Sequence, residues 1–145
     1  MSSNNCTITI SGRQIASGTV ENLSLTTLGQ FSFDPEQALI TYEESETTGF
    51  AGDTTTLSIE GNRRATLTRR GNTFSTLVIE KGKKHMCHYD TGEGTMVIGV
   101  LADKNENKLG EHGGELRLRY HLDVNANALS VNELNISVRE NRANA

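Results

Sequence analysis

Six polar side chains of this sequence keep step with apolar neighbours and so belong on the same strand faces: Tyr42, Glu44, Arg69, Ser75, His85 and Tyr89. Side chains along a strand alternate between faces, so residues two or four apart point the same way. Arg69 is in phase with Ala65 and Leu67. Ile40 carries Tyr42 and Glu44 inward; if Leu39 is the inward residue, the inward acid is Glu43. Leu77 and Ile79 carry Ser75, and Tyr89 carries Cys87 and His85. A buried guanidinium needs a carboxylate or several acceptors, because an isolated buried charge is very costly. Two roles fit these residues. Arg69 and a glutamate can close the end of a core as a structural pair. Alternatively the six line a cavity that orients a small polar or anionic ligand, to which the planar fork of arginine is suited.

Other chemistries find less support. His85-Met86-Cys87-His88 packs three metal-ligand types into four residues. In a strand His85 and Cys87 share a face that His88 does not, and no further pair lies at zinc spacing, so no metal and no cofactor is expected. Glu43 and Glu44 are adjacent and face opposite ways; with Glu46 they read as a charged strand end. No Gly-x-Ser-x-Gly elbow is present. Gly110 to Gly114 follows no strand-to-helix pattern and is not a phosphate loop. The reading therefore leans away from an enzyme. Arg63, Arg64, Arg69, Arg70, Lys81, Lys83 and Lys84 lie on neighbouring hairpins, and their outward members would form a basic strip. That gives a second reading, a protein or RNA interaction module. Aromatic residues are sparse, which leaves little for bases to stack on, and a solvated face is the plainer explanation.

The elements that must position these residues repeat with period two. Cys6, Ile8 and Ile10 alternate with threonines, and Thr19 to Phe33 is a long strand-like stretch in which Gly29 would mark a bend or bulge. Asp34-Pro35-Glu36 is a turn, Gln37 to Ser45 a strand and Thr48 to Asp53 a loop. Strands then run over Thr54–Glu60, Arg63–Arg70, Thr73–Glu80, Lys83–Asp90 and Thr95–Ala102, with a glycine at almost every break (Gly92 in the Thr91-Gly92 turn among them), the pattern of consecutive hairpins. Asp103 to Gly114 reads as a polar connection; Glu115–Val124 and Leu129–Glu140 are the last strands. No segment shows a helical period. A one-sided antiparallel sheet of about eight to ten strand segments buries its apolar face and hides its edges by rolling into a closed meander barrel, with a two-sheet sandwich as the structural alternative.

Length and composition agree with one all-β domain over residues 1–145, its ends 1–5 and 141–145 frayed. Only 34% of residues are hydrophobic, so the core depends on their alternation. The net charge of −4 argues against nucleic acid and anionic membranes as partners. No apolar run approaches the roughly 18 residues of a bilayer span. Two cysteines, Cys6 and Cys87, are too few for a disulfide framework, are expected to be unbonded, and suit the cytoplasm.

Several stretches together resemble a known family. They are Tyr42-Glu43-Glu44, Thr54-Thr55-Thr56-Leu57, Leu67-Thr68-Arg69-Arg70-Gly71, Glu80-Lys81-Gly82-Lys83-Lys84-His85, His88-Tyr89-Asp90-Thr91, Gly94 to Val100, and Gly113-Gly114-Glu115-Leu116 leading to Tyr120. In order and spacing they are similar to the YwiB-like family of small bacterial calycin-like proteins, over roughly Gly29 to Glu140. Gly92-Glu93-Gly94 departs from it, since the family more often has Pro-Tyr-Gly there. The resemblance implies a lipocalin-like (calycin) barrel and no particular activity; such barrels usually hold small molecules. The expected function is a non-enzymatic barrel binding a small polar or anionic ligand among the six residues.

Overall fold

A computed structural model of the chain describes residues 5–45, 51–90 and 93–141. The loop expected at Thr48–Asp53, the turn at Gly92 and the frayed ends fall wholly or partly outside those residues. Ten strands follow one another: β1 (Cys6–Ala16), β2 (Thr19–Asp34), β3 (Gln37–Glu43), β4 (Thr54–Glu60), β5 (Arg64–Arg70), β6 (Phe74–Glu80), β7 (His85–Asp90), β8 (Thr95–Gly110), β9 (Gly113–Val124) and β10 (Asn127–Glu140). All pair antiparallel in one sheet of order β6-β5-β4-β3-β2-β1-β10-β9-β8-β7. The first and last strands pair from Cys6↔Glu140 to Ile15↔Val131, so the sheet rolls into a nearly closed barrel and the sandwich alternative falls away. Among the described residues no helix is long and apolar enough to cross a membrane.

The core is the inward half of each alternation. Ile8, Ile40, Leu57, Ile59, Ala65, Ile79, Val100 and Leu116 are completely buried, and Ile98 and Leu118 nearly so. Ile40 is buried and Leu39 exposed, which selects the first of the two phases for β3 and sends Tyr42 and Glu44 inward. On β7, Cys87 is buried and His85 and Tyr89 half-buried, while Met86 and His88 face out. Cys6 and Cys87 are both buried and unbonded.

The last closure falls between β6 and β7, consecutive strands joined by a short turn. Their backbones meet at Glu80↔Lys83 and then separate. Side chains take over the hydrogen bonding. The Val78 N–H donates to Cys87 Sγ at 3.4 Å, the Asp90 N–H to Ser75 Oγ at 2.9 Å, and the Phe74 N–H to Asp90 Oδ2 at 3.1 Å. The turn itself is pinned to β8 by a Gly82 N–H donated to the Ala102 carbonyl at 3.1 Å. Buried or half-buried backbone donors must find partners, and here a thiol, a hydroxyl and a carboxylate supply them.

Two sequence readings are corrected. Residues 103–110 are not a connection: β8 continues through them to Gly110, with a bulge between Ala102 and Lys104. Their inward positions are Asn105, Asn107 and Leu109, so apolar alternation lapses at the two asparagines while the ladder with β9 goes on, and only residues 111–112 are left to make the turn. Nor does Gly29 make a bulge. Its pairing is regular on both sides, with Cys6 and with Tyr42. A Cβ at Gly29 would lie 2.4 Å from Ile8 Cδ1 and 2.5 Å from the Thr41 carbonyl oxygen, so glycine is there because the neighbours fill its side-chain space. Gly29→Ala is therefore an overpacking substitution inside the barrel wall. It should cost about 1–3 kcal/mol, read as a lowered urea midpoint with an unchanged slope; a midpoint equal to the parent's would refute the close-approach account.

Candidate functional site

The polar residues of the interior concentrate toward the end of the barrel where β5 turns into β6. Cross-strand register sets them side by side. Ser75 stands opposite Arg69, Arg69 opposite Thr55, and Thr55 opposite Tyr42, one inward row across β6, β5, β4 and β3. Glu44, just past the end of β3 and one inward step beyond Tyr42, turns back over this row; its backbone N–H bonds the Asp53 carbonyl at 2.8 Å.

Arg69 Nη2 lies 3.6 Å from Glu44 Oε2, with the two side chains 13% and 1% exposed. The Thr55 hydroxyl donates to Glu44 Oε2, and the Tyr42 phenol lies within electrostatic reach of the Glu44 carboxylate. Burial, then the neighbouring Glu44 charge, pushes the Tyr42 phenol well above its ordinary value. It therefore stays a neutral donor at any physiological pH. Tyr120 of β9 reaches the same region from the other side of the barrel. Burial pushes its phenol up to about 12, with the positive Arg69 partly opposing and Tyr89 adding to the rise.

The floor of this cluster touches a groove. The β1–β2 and β9–β10 hairpins run on past the barrel proper, and their inner faces enclose a hollow of about 430 Å³. Its lining includes Gly12, Gln14, Glu21, Leu23, Tyr120, Asn132 and Leu134. Tyr120 is shared: its side chain lines the hollow, and its phenol feels the Arg69 charge. The hollow is mixed in character, with amides, the carboxylates of Glu21 and Glu133 and the Arg13 guanidinium among leucines, as polar-ligand sites tend to be.

Asp53 anchors the rim. Oδ1 accepts the Asn72 and Thr73 N–H groups, the latter at 3.2 Å, and Oδ2 accepts the Thr73 hydroxyl. These bonds, that from the Thr73 hydroxyl foremost, hold the carboxyl below its usual range. Gly71 makes room, since a Cβ there would sit 2.5 Å from Asp53 Oδ1.

Of the six residues singled out in the sequence, the structure brings Tyr42, Glu44 and Arg69 into contact range, with Tyr89 close enough to Tyr120 to be felt by it. Ser75 adjoins Arg69, but its hydroxyl is engaged in the β6–β7 closure. His85 sits at the far end of β7, where Nε2 lies 2.9 Å from Glu80 Oε1. Thr55, Asp53 and Tyr120 were missed. Thr55 had no clean signal: a two-residue turn at Gly61-Asn62 would set it opposite Thr68, and the three-residue turn over residues 61–63 brings it opposite Arg69. The basic strip is largely compensated. Arg63 and Arg64 both pair with Glu60, Lys84 lies 2.7 Å from Asp123, and Arg70 sits over the Phe74 ring, while Lys81 and Lys83 are exposed. Among the described residues no three His, Cys, Asp or Glu side chains are grouped to hold a metal ion.

Comparison with known proteins adds the following. A family model described as a domain of unknown function (DUF1934) matches residues 8–136. Among solved structures, the ywiB protein from Bacillus subtilis matches with a TM-score of 0.82 at 14% identity, over 96% of this chain and 93% of that one. At that identity the likeness concerns the fold. No curated protein matches.

Two predictions arise from the geometry. Arg69→Ala should destabilise by about 3–5 kcal/mol, because Glu44 is left buried without its counter-charge; Arg69→Leu combined with Glu44→Leu should recover much of that loss, as read in a urea double-mutant cycle. The second concerns acid. The Asp53 carboxyl titrates lower folded than unfolded, where it is near ~3.9. Its stabilisation is therefore complete above about pH 4 and is lost as pH falls through the folded value. Asp53→Asn should be less stable than the parent at neutral pH, with the gap closing on acidification; a gap independent of pH would show that the charge is irrelevant.

Proposed function

The chain belongs to the DUF1934 family, and from that premise we propose that it is a binding protein for a small polar molecule, seated in the groove at the mouth of the barrel against Tyr120 and Arg69. The observation that carries the reading is the position of the Arg69–Glu44 pair. A purely structural ion pair could lie anywhere in the wall. This one is placed where the interior meets a hollow, with the guanidinium the more exposed member and a ring that serves both. The Asn132 and Gln14 amides offer both donors and acceptors to the hollow, Leu23 and Leu134 supply apolar walls, and Arg69 acts on it through its charge on Tyr120. The hollow is large enough for a molecule of metabolite size.

Charge narrows the ligand class. Glu44 already faces Arg69, and Asp53 and Glu21 are near the two ends of the site. A carboxylate ligand must compete with Glu44 for the same cation. A neutral molecule rich in hydroxyls or amides meets no such competitor. A calycin-like barrel and a cytoplasmic setting accord with this reading, and the two unbonded thiols suit a reducing compartment. The outer basic strip favours no second reading, since three of its six charges, Arg63, Arg64 and Lys84, are met by carboxylates within the chain and aromatic residues for stacking are sparse.

The test is native mass spectrometry of protein taken directly from cells, followed by a screen of sugars, amino acids and small carboxylates by NMR of the labelled chain. Bound ligand should perturb the signals of Tyr120, Gln14 and Asn132. The Arg69→Leu/Glu44→Leu chain should fold yet bind at least about tenfold more weakly, the size expected for losing one charge-assisted hydrogen bond. Absence of any bound mass together with unmoved groove signals throughout the screen would sink the proposal.

A further inference from the structure

Over its first half, β2 is paired on one side only. Its ladder with β1 covers Thr19 to Gly29, whereas its ladder with β3 begins at Gly29 and runs to Asp34. Among the described residues no strand pairs with Val20 to Leu28 on the side away from β1. The hydrogen-bonding phase of this edge follows from the turns. Two-residue hairpins join Ala16 to Thr19 and Asp34 to Gln37, and the residues flanking such a turn exchange hydrogen bonds with each other. Odd-numbered residues of β2 therefore direct their backbone groups to β1, and even-numbered ones toward the β3 side. Val20, Asn22, Ser24, Thr26 and Leu28 thus present a row of backbone donors and acceptors.

Exposed edges are usually blunted by lysine, proline, a bulge or a very short strand. This one has none of these. It is long, its pairing with β1 is regular throughout, and its one charged residue is Glu21. It also carries two exposed apolar side chains on the outer face, Val20 at 46% and Leu28 at 54%.

We infer that this edge recognises a second copy of the same chain, whose β2 adds antiparallel about a two-fold axis through Ser24. The register is self-complementary. With Ser24 opposite Ser24 of the other copy, Asn22 faces Thr26 and Val20 faces Leu28, each an even residue meeting an even residue, so the hydrogen-bonding phases match. About ten backbone bonds form, two for each of five opposed pairs. On the inner face Leu23 meets Leu25, and Glu21 meets Thr27 rather than another Glu21, so no like charges oppose each other. On the outer face Val20 is already beside Ile15, and Ile15 beside Val131. Leu28 of the other copy extends that row to four apolar residues on four adjacent strands. A slip of one residue pairs even with odd and loses the bonds; a slip of two leaves edge residues unpaired at both ends. Two-fold pairing consumes the edge on both copies and closes the assembly at two.

The inference is independent of any ligand, and its test is the mass of the full chain in solution over a concentration series. The expected result is a dimer, twice the chain mass. Ser24→Lys places two lysines opposite each other at the axis, and Ser24→Pro removes the central outward N–H without touching the β1 ladder. Both should give monomers with unchanged circular dichroism; if the proline chain fails to fold, the lysine chain decides. The register is read by cysteine: opposed residues of a hydrogen-bonded pair have Cα atoms about 5.5 Å apart, within disulfide reach. Ser24→Cys should cross-link to itself on mild oxidation and Asn22→Cys should not. A parent chain monomeric at every concentration, or a dimer indifferent to both Ser24 substitutions, overturns the proposal.

Discussion

Nine ladders hold the barrel together, and eight of them join strands that follow one another in the chain. The ninth, β1 with β10, connects residues more than a hundred positions apart. Without it the molecule is two meanders with four exposed edges. Its formation carries the entropy cost of closing nearly the whole chain into a loop, which grows slowly with length but must be met before any contact repays it. Ile8, Ile10, Ile136 and Val138 repay it, buried on the two strands in direct opposition. The interior becomes dry only once this pairing exists, and only then is a charge pair such as Arg69 with Glu44 possible or necessary.

That pair lies at the boundary between two environments. Toward the β2–β3 and β4–β5 turns the interior is aliphatic, with Ile40, Leu57, Ile59, Ala65 and Ile79 filling it. Two residues along the same strands the row changes to Tyr42, Thr55, Arg69 and Ser75. A hydrophobic replacement of a buried charged pair often costs a fold little, so the pair is weak evidence of a role in stability.

How far the sequence disclosed this differs by element. Arg69 and Tyr42 were legible because each lies within two residues of an aliphatic core position, where alternation is strict. The hairpin order was legible because turns carry glycine. Residues 103–110 were not, because Asn105 and Asn107 occupy inward positions without apolar character, and a polar strand and a polar loop have the same composition. The β6–β7 closure was hidden for a different reason: Lys81-Gly82 is an ordinary hairpin signal, and nothing local shows that the strands part beyond it. Asp53 bonds a turn some twenty residues away, a relation fixed by the roll of the sheet and by no periodicity. Tyr120 was seen as core, which it is; its second role depends on which strands face it across the barrel.

The side-chain closure between β6 and β7 bears on how the chain could be threaded. Residues Asn5 and Asn141 are neighbours: the Asn141 N–H donates to the Asn5 carbonyl at 2.9 Å, and Thr7 Oγ1 to Asn141 Oδ1 at 2.7 Å. Strand order around the barrel is the same as strand order along the chain, taken cyclically. A circular permutant joined near those asparagines and opened at Lys81-Gly82 would therefore run from β7 through β10 and β1 to β6, each strand pairing with the next without exception. Its new ends would flank the one place where the backbone ladder is already interrupted. In this topology the chain's point of entry is a matter of connectivity, and the fold is specified by the ring of strands.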